Sequence, residues 1–480
     1  MKRREFLKST GWGAALAAGW GLSRNLKAAE ARRAKPPNIV LIMADDLGYG
    51  HLGCYGQQII QTPNIDRLAR EGLRFTQAYA GCSLCAPSRS VLMTGYHAGH
   101  TPVRGNSGGI PLRDGDVTMA EVLQAAGYRT GLFGKWGLGD ARTTGAPNEQ
   151  GFDEFFGYLH QKHAHFYYTD YLWHNREPYP LEANRDGRRQ RYSHDVIVER
   201  ALDFIRQEQD APFFCFLSAT IPHHEWTVPE ESLEQYASSF EEQPPRFRWR
   251  QGYAMPKKPK ANMAAMISHL DRGVGKVMQT LEERGLSEDT LVIFTSDNGA
   301  DSYSLASPTF FQANGALRGY KGSLYEGGIR VPAIAHWPGH IAPGTASEHA
   351  WYFADLLPTC AELAGNAPGV PADVDGVSIV PALLGAQAAG RPQPPHDFLF
   401  WEQWGSELPR AVRRGNWKAV WPSKDAPIEL YDLGADPGEQ NDLATAHPDI
   451  VAELRGLMER NHADPPPQIE PDAPDGRYYR

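Results

Sequence analysis

The residues of this chain best equipped for chemistry are compressed into Cys85-Ala86-Pro87-Ser88-Arg89. A potential nucleophile is followed by a proline suited to the first turn of a helix, and then by a cation one turn further on. Proline costs little there because its missing N–H would have no intrahelical partner anyway. A helix is therefore expected to begin near Pro87, with Cys85 just ahead of it. That end of a helix attracts anions, and Arg89 adds a full charge with forked donors. The chemistry implied is a nucleophile in an anion hole. Cys82 and Cys85 also allow a metal or redox reading. No second CxxC follows, and His97 and His100 fall beyond the helix rather than at zinc-finger spacing, which argues against zinc and leaves a redox pair open.

The second group is acidic. Asp45 and Asp46, with Asp297 and Asn298, form an all-oxygen set suited to a hard divalent cation, calcium in preference to magnesium because the cage is nearly all protein. Carboxylates converging without a cation would repel strongly. Around them stand three candidate cations, Arg89, Lys135 in Gly134-Lys135-Trp136, and Lys321. Together with a divalent metal they exceed three carboxylates, so the site wants an oxyanion with spread charge, a sulfate or phosphate ester. His223 is a candidate to protonate a leaving alkoxide. The stretch from His163 to Asn175 holds His165, Tyr167, Tyr168, Tyr171 and Trp173. Aromatic residues beside polar groups suit a sugar ring, which makes His163 and His165 candidate substrate contacts.

These residues need elements to bring them together. Asn38 to Ala44 is a continuous apolar run of the kind found in a central strand covered on both faces. Helices are expected from Pro63 to Glu71, Met119 to Ala126, Ser193 to Gln207 and Ala264 to Arg284. Strands are expected at Thr130 to Phe133, Pro212 to Ser218 and Thr290 to Thr295. This alternation implies βαβ units, an α/β fold with a mostly parallel sheet and helices on both faces. Ligands in such sheets collect beyond the carboxyl ends of the strands. The acidic pair, Lys135, His223 and Asp297 all follow strands at that edge. A Gly/Ala/Pro-rich linker is expected near Pro381 to Pro395. Beyond it, antiparallel strands at Phe398 to Trp401, Arg410 to Arg413 and Trp417 to Trp421, with a helix from Pro448 to Arg460, make a small α+β subdomain. The expected organisation is a catalytic domain at 36–385 and a C-terminal subdomain at 396–480.

Residues 1–31 stand apart. Paired Arg3 and Arg4 precede a short apolar run and small residues suited to cleavage, which reads as a twin-arginine signal peptide using the matching export machinery. The run is short for a bilayer, so a periplasmic or secreted protein with no stable membrane span after cleavage is expected. The 480 residues carry a formal net charge of -9, which gives no support to nucleic-acid binding. Five cysteines are too few for a disulfide scaffold and leave at least one unpaired.

Taken in order, Asn38 to Asp46, Cys85 to Arg89 with Thr94-Gly95, Gly134-Lys135-Trp136, Thr295 to Gly299 and Lys321 to Pro332 resemble the type I sulfatases of the alkaline phosphatase superfamily. A weaker echo follows at Glu429 to Leu433. The resemblance implies that a maturation enzyme converts Cys85 to formylglycine, whose hydrate is held on the metal with Asp45, Asp46, Asp297 and Asn298 and attacks sulfur. It further implies that Arg89, Lys135 and Lys321 neutralise the sulfate oxygens while His223 helps the alcohol leave, with a sulfated carbohydrate as the expected substrate. Such sulfatases commonly carry a histidine two residues after the catalytic lysine, where this chain has Gly137. His163, His165 and His97 are the candidates to replace it. The alternatives are a phosphodiester or phosphonate-monoester hydrolase, or an inactive binder of sulfated glycans.

Overall fold

The computed structural model describes residues 36–208, 210–242, 253–303 and 307–469, so the expected signal segment lies outside the described residues. Strand β1, Asn38–Asp45, is buried along its whole length. Ile39, Leu41 and Met43 enter one apolar core, while Val40, Ile42 and Ala44 enter another on the opposite face. Two-sided burial explains why the sequence shows no polar alternation there, and each of the larger side chains, Ile39, Val40, Leu41, Ile42 and Met43, stabilises the fold by about 1.5–3 kcal/mol relative to water.

The other strands, in chain order, are β2 (Leu73–Tyr79), β3 (Arg129–Lys135), β4 (Glu154–Tyr158), β5 (Tyr171–His174), β6 (Glu177–Pro180), β7 (Phe213–Pro222), β8 (Thr290–Ser296), β9 (Arg330–His336), β10 (Thr345–Ser347) and β11 (Trp351–Tyr352). They form one sheet in the order β10-β2-β9-β8-β1-β7-β3-β4-β5-β6, with β11 also on β2. Its centre, β8-β1-β7-β3-β4, is parallel, whereas β9 runs antiparallel to both neighbours and β5-β6 adds an antiparallel hairpin. The α/β architecture expected from the sequence is present.

The longer helices are α1 (Pro63–Arg70), α2 (Cys85–Thr94), α3 (Met119–Ala125), α4 (Ser193–Arg206), α5 (Pro259–Glu283), α6 (Leu356–Leu363) and α7 (Pro448–Arg460). Side chains of α2, α3 and α6 fill the first core; those of α1, α4 and α5 fill the second. Helix α2 begins at Cys85, two residues earlier than expected. Pro87 is then its third residue, which is tolerated because the first four N–H groups of a helix have no intrahelical acceptor.

Strands β12 (Leu399–Glu402), β13 (Arg410–Arg414), β14 (Trp417–Trp421) and β15 (Glu429–Asp432) make a second, antiparallel sheet. Phe400, Val412, Ala419 and Leu430 pack on Leu454, Leu457 and Met458 of α7. The alternate residues Leu399, Trp401, Ala411, Val420 and Tyr431 enter the first core of the large sheet. The segment expected to be a linker holds two short helices, Val380–Leu384 and Ala386–Ala389.

Candidate active site

The carboxyl edge of the central strands gathers the charged residues. Asp45 ends β1, and Asp46 follows in a left-handed turn at φ 64°. Aspartate tolerates that conformation better than most residues. The turn brings the Asp46 N–H within 3.3 Å of Asp297 Oδ1. Lys135 ends β3 and places Nζ 2.6 Å from Asp45 Oδ2. His223 directly follows β7, with Nε2 3.5 Å from Asp46 Oδ2. Asp297 and Asn298 follow β8, and Asn298 Nδ2 donates to Asp46 Oδ1 at 2.7 Å. Lys321 arrives on a turn fixed by its own N–H to Ala300 O, and its Nζ lies 2.7 Å from Asp46 Oδ1.

Helix α2 aims its first turn at this edge. Cys85 is only 1% exposed, and its Sγ lies 3.5 Å from Asp45 Oδ1. Arg89, 2% exposed, donates through Nη2 and Nε to Asp297 Oδ2 at 2.8 and 3.2 Å. Its Nη1 donates to Lys135 O at 2.8 Å and to Ser218 Oγ, whose own hydroxyl donates to Lys135 O. One guanidinium thus ties α2 to the end of β3, to the middle of β7 and to the residue that follows β8. All five cysteines are free thiols, so Cys82 and Cys85 form no disulfide.

Burial raises the proton affinity of every carboxyl here, and the local charges divide them. For Asp45 burial is outweighed by Lys135, His223, Arg89 and Lys321, and its carboxyl lies well below the usual range. Asp46 is pushed up to about 7 by burial, with Asp45 and Asp301 adding repulsion that Lys321 only partly offsets. Asp297 is pushed up to about 6 by burial and by Asp45, against Arg89 and Lys135. Burial and Asp45 also push the Cys85 thiol above its usual value, which suppresses the thiolate. The set fits a hard divalent cation on a further ground. Among the described residues Asn298 Oδ1 is a buried oxygen with no hydrogen-bond partner, on the same side chain whose Nδ2 bonds Asp46, as an oxygen ligand of a cation would be.

His223 Nδ1 lies 2.7 Å from the His224 carbonyl, so Nδ1 carries the proton of the neutral ring and Nε2 is the edge that faces Asp46. Burial, His224 and Lys321 hold its proton affinity well below the usual histidine value. The three histidines considered as replacements at position 137 separate. His165 stacks on His223 at 4.7 Å and meets His224 edge-on at 4.4 Å. His163 instead bonds Thr169 Oγ1 at 2.8 Å, buried between Tyr158 and Tyr171. His97 packs on Phe400 and His100 beside Asp375. Tyr167 is buried as well, its hydroxyl against the carbonyls of Thr220 and His223, so it secures the end of β7 rather than facing a ligand.

Several neighbours carried no signal in the sequence. Ser218 is an ordinary strand residue until Arg89 reaches it. Asp301 lies 3.5 Å from His224 Nδ1, four positions past Asp297, and proximity in sequence was its only cue. Gln161 and Asn106 are joined by a 2.9 Å hydrogen bond beside α2 and Gly137, from segments with no recognisable motif.

Comparison with known proteins bears on this geometry. Residues 37–366 match the Sulfatase family model, and residues 320–464 match the model described as N-sulphoglucosamine sulphohydrolase, C-terminal. Arylsulfatase A of Homo sapiens is 36% identical over 483 aligned residues, covering 88% of this chain and 87% of the relative. N-acetylgalactosamine-6-sulfatase of Canis lupus familiaris is 34% identical, covering 90% of this chain and 82% of the relative. The crystal structure of Ps i-CgsB in complex with k-i-k-neocarrahexaose superposes with a TM-score of 0.76 at 27% identity, covering 90% of this chain and 94% of that one. A buried cysteine, converging carboxylates and three cations at the edge of such a sheet, matched along most of the chain by these relatives, make it a member of the sulfatase family, a sulfuric ester hydrolase of the alkaline phosphatase superfamily.

Proposed function

We propose that this sulfatase removes sulfate from a carbohydrate at the centre formed by Cys85, Asp45, Asp46, Asp297, Asn298, Arg89, Lys135, Lys321 and His223. The observation that carries the reading is the convergence of the buried Cys85 side chain with three carboxylates, the unpartnered Asn298 oxygen and three cations. The sugar sulfates named for the canine relative, and the carbohydrate complex of the structural neighbour, support a carbohydrate substrate.

Asp45, Asp46, Asp297 and Asn298 would hold a divalent metal, calcium by the all-oxygen donor set, which supplies positive charge at the ester and at the nucleophile. Conversion of Cys85 to formylglycine by a maturation enzyme would supply an oxygen nucleophile where burial leaves the thiol protonated. Arg89 orients Asp297 and presents its charge beside Cys85. Lys135 and Lys321 flank the two sides of the acidic pair, where their ammonium groups neutralise sulfate oxygens as charge builds on them. His223 presents Nε2 at the same point and handles the proton of the leaving oxygen; an anionic ester beside the ring raises its proton affinity. His165, stacked on His223, borders the substrate side.

Export as a folded protein through a twin-arginine pathway, on the residues at 1–31, belongs to the same proposal. Among the described residues no helix is long and apolar enough to cross a membrane. So does the division into a catalytic domain and a smaller C-terminal part. The test is release of sulfate from a panel of defined sulfated sugars, with the mass of the Cys85 peptide determined on the same sample. Release that tracks the converted fraction and vanishes in Cys85→Ala is expected. Equal release from unconverted protein would overturn the assignment of the nucleophile.

A further inference from the structure

Asn106 occupies a distinctive position. Its side chain is exposed, yet its Oδ1 accepts a hydrogen bond from the Ala86 N–H at 3.0 Å, one residue past Cys85. The same oxygen accepts from Gln161 Nε2 at 2.9 Å. A backbone N–H can only donate, so the atom facing Ala86 is the carbonyl oxygen, and the orientation of the amide is fixed by the network. The Nδ2 group is therefore turned away from both partners, and among the described residues it has no acceptor. An exposed amide donor thus stands at the first turn of α2, directly beside the reactive residue.

Gln161 holds this arrangement because position 137 is glycine. Gly137 adopts φ 83°, and a Cβ there would stand 3.2 Å from Gln161 Cγ and 3.5 Å from its Nε2. Gln161 is itself buried, so it has little room to retreat. Gly137, Gln161 and Asn106 form a set in which the missing side chain at 137 makes space for the residue that orients Asn106.

We propose that Asn106 is a substrate-contacting residue of this sulfatase, its Nδ2 donating to a neutral oxygen acceptor of the sugar, a hydroxyl or amide carbonyl next to the sulfate. Resting on the sulfatase reading of the centre, the assignment adds a polar subsite outside the charged anchor. An uncharged donor discriminates by hydrogen bonding rather than by charge, so the group it reads is a neutral neighbour of the sulfate and not a second anion.

Binding separates this subsite from turnover. The full-length Cys85→Ala protein, supplied with calcium, is titrated calorimetrically with inorganic sulfate and with the 4- and 6-sulfates of N-acetylgalactosamine and N-acetylglucosamine; the tightest sugar is then used. Asn106→Ala in that background is expected to weaken the sugar sulfate about tenfold while leaving inorganic sulfate unchanged. Inorganic sulfate is the internal control, since a disturbed helix start would weaken both ligands together. Unchanged sugar binding, a parallel loss of both ligands, or a panel in which no sugar sulfate binds more tightly than sulfate itself would each overturn the proposal. A parent protein that binds no sulfate at all would instead overturn the reading of the anion hole on which the proposal depends.

Discussion

Arg89 does more than contribute charge. Its guanidinium makes four hydrogen bonds inside the protein, to Asp297 Oδ2 twice, to Lys135 O and to Ser218 Oγ. A lysine keeps the charge but lacks the fork that spans these acceptors. Arg89→Lys is therefore expected to lower kcat/KM by about 100-fold or more, with metal affinity falling as Asp297 loses its orientation; steady-state kinetics and calcium titration of one preparation check both. Gly137→Ala tests another tight position. Its Cβ meets Gln161 and its φ suits glycine, so a loss of about 1 kcal/mol or more of stability is expected in a denaturant midpoint. At this scale most of the charged centre was legible, because Asp45, Asp46, Lys135, His223 and Asp297 end or follow apolar strands and Arg89 lies near the start of a helix, whereas Lys321 sits on a loop and was marked only by its motif. Asn106, Gln161 and Ser218 were not, because they act through contacts between segments distant in sequence, and nothing in their own neighbourhoods marks them.

At the scale of elements, the loop that carries Lys321 is anchored by the second sheet. Lys418 on β14 is fully buried, with Nζ 2.8 Å from both Glu326 Oε1 and Glu439 Oε1. Glu439 Oε2 accepts the Glu326 N–H, and Arg318, three residues before Lys321, bonds Tyr431 Oη on β15 and the Glu439 carbonyl. Removing one member leaves buried charge uncompensated. Lys418→Met is expected to cost about 3–5 kcal/mol in chemical denaturation; activity should fall further than the folded fraction accounts for, because Lys321 loses its support. Elements differed in how readily they could be read. The centre of the sheet announced itself through continuous apolar runs such as β1. Strands β2 and β9 did not: β2 carries Arg74, Thr76 and Gln77, and Pro332 argues against a strand in the middle of a sheet. In the structure Pro332 falls at a break in the β2–β9 register between Phe75 and Ala78, where no ladder N–H is required of it.

Over the whole molecule, burial of neutral histidines governs the response to acid. His51, His163 and His194 are pushed down to about 3, and His97 to about 4, chiefly by desolvation. In the unfolded chain each titrates near 6.5. Between that value and the lowered one the unfolded state binds more protons, so stability falls as pH decreases, by about 1.4 kcal/mol per pH unit for each fully titrating group. Unfolding free energies measured from pH 7 to pH 4 should decline steeply, and His163→Gln should reduce the slope. A slope unaffected by that change would assign the acid sensitivity elsewhere. The α/β class and the antiparallel second sheet followed from alternation and turn signals, whereas the packing of that sheet into the first core depends on side chains such as Trp401, whose partners lie hundreds of positions earlier.

The central claim is sulfate ester hydrolysis at the centre around Cys85, and the most direct measurement compares turnover of 4-nitrophenyl sulfate and 4-nitrophenyl phosphate by calcium-loaded protein whose Cys85 peptide has the mass of the aldehyde. Membership of the sulfatase family predicts that the sulfate ester is hydrolysed with the higher kcat/KM, and the position of Cys85 in the site predicts that Cys85→Ala abolishes it. Negligible sulfate hydrolysis by fully converted protein, with the phosphate ester turned over in its place, would contradict the account.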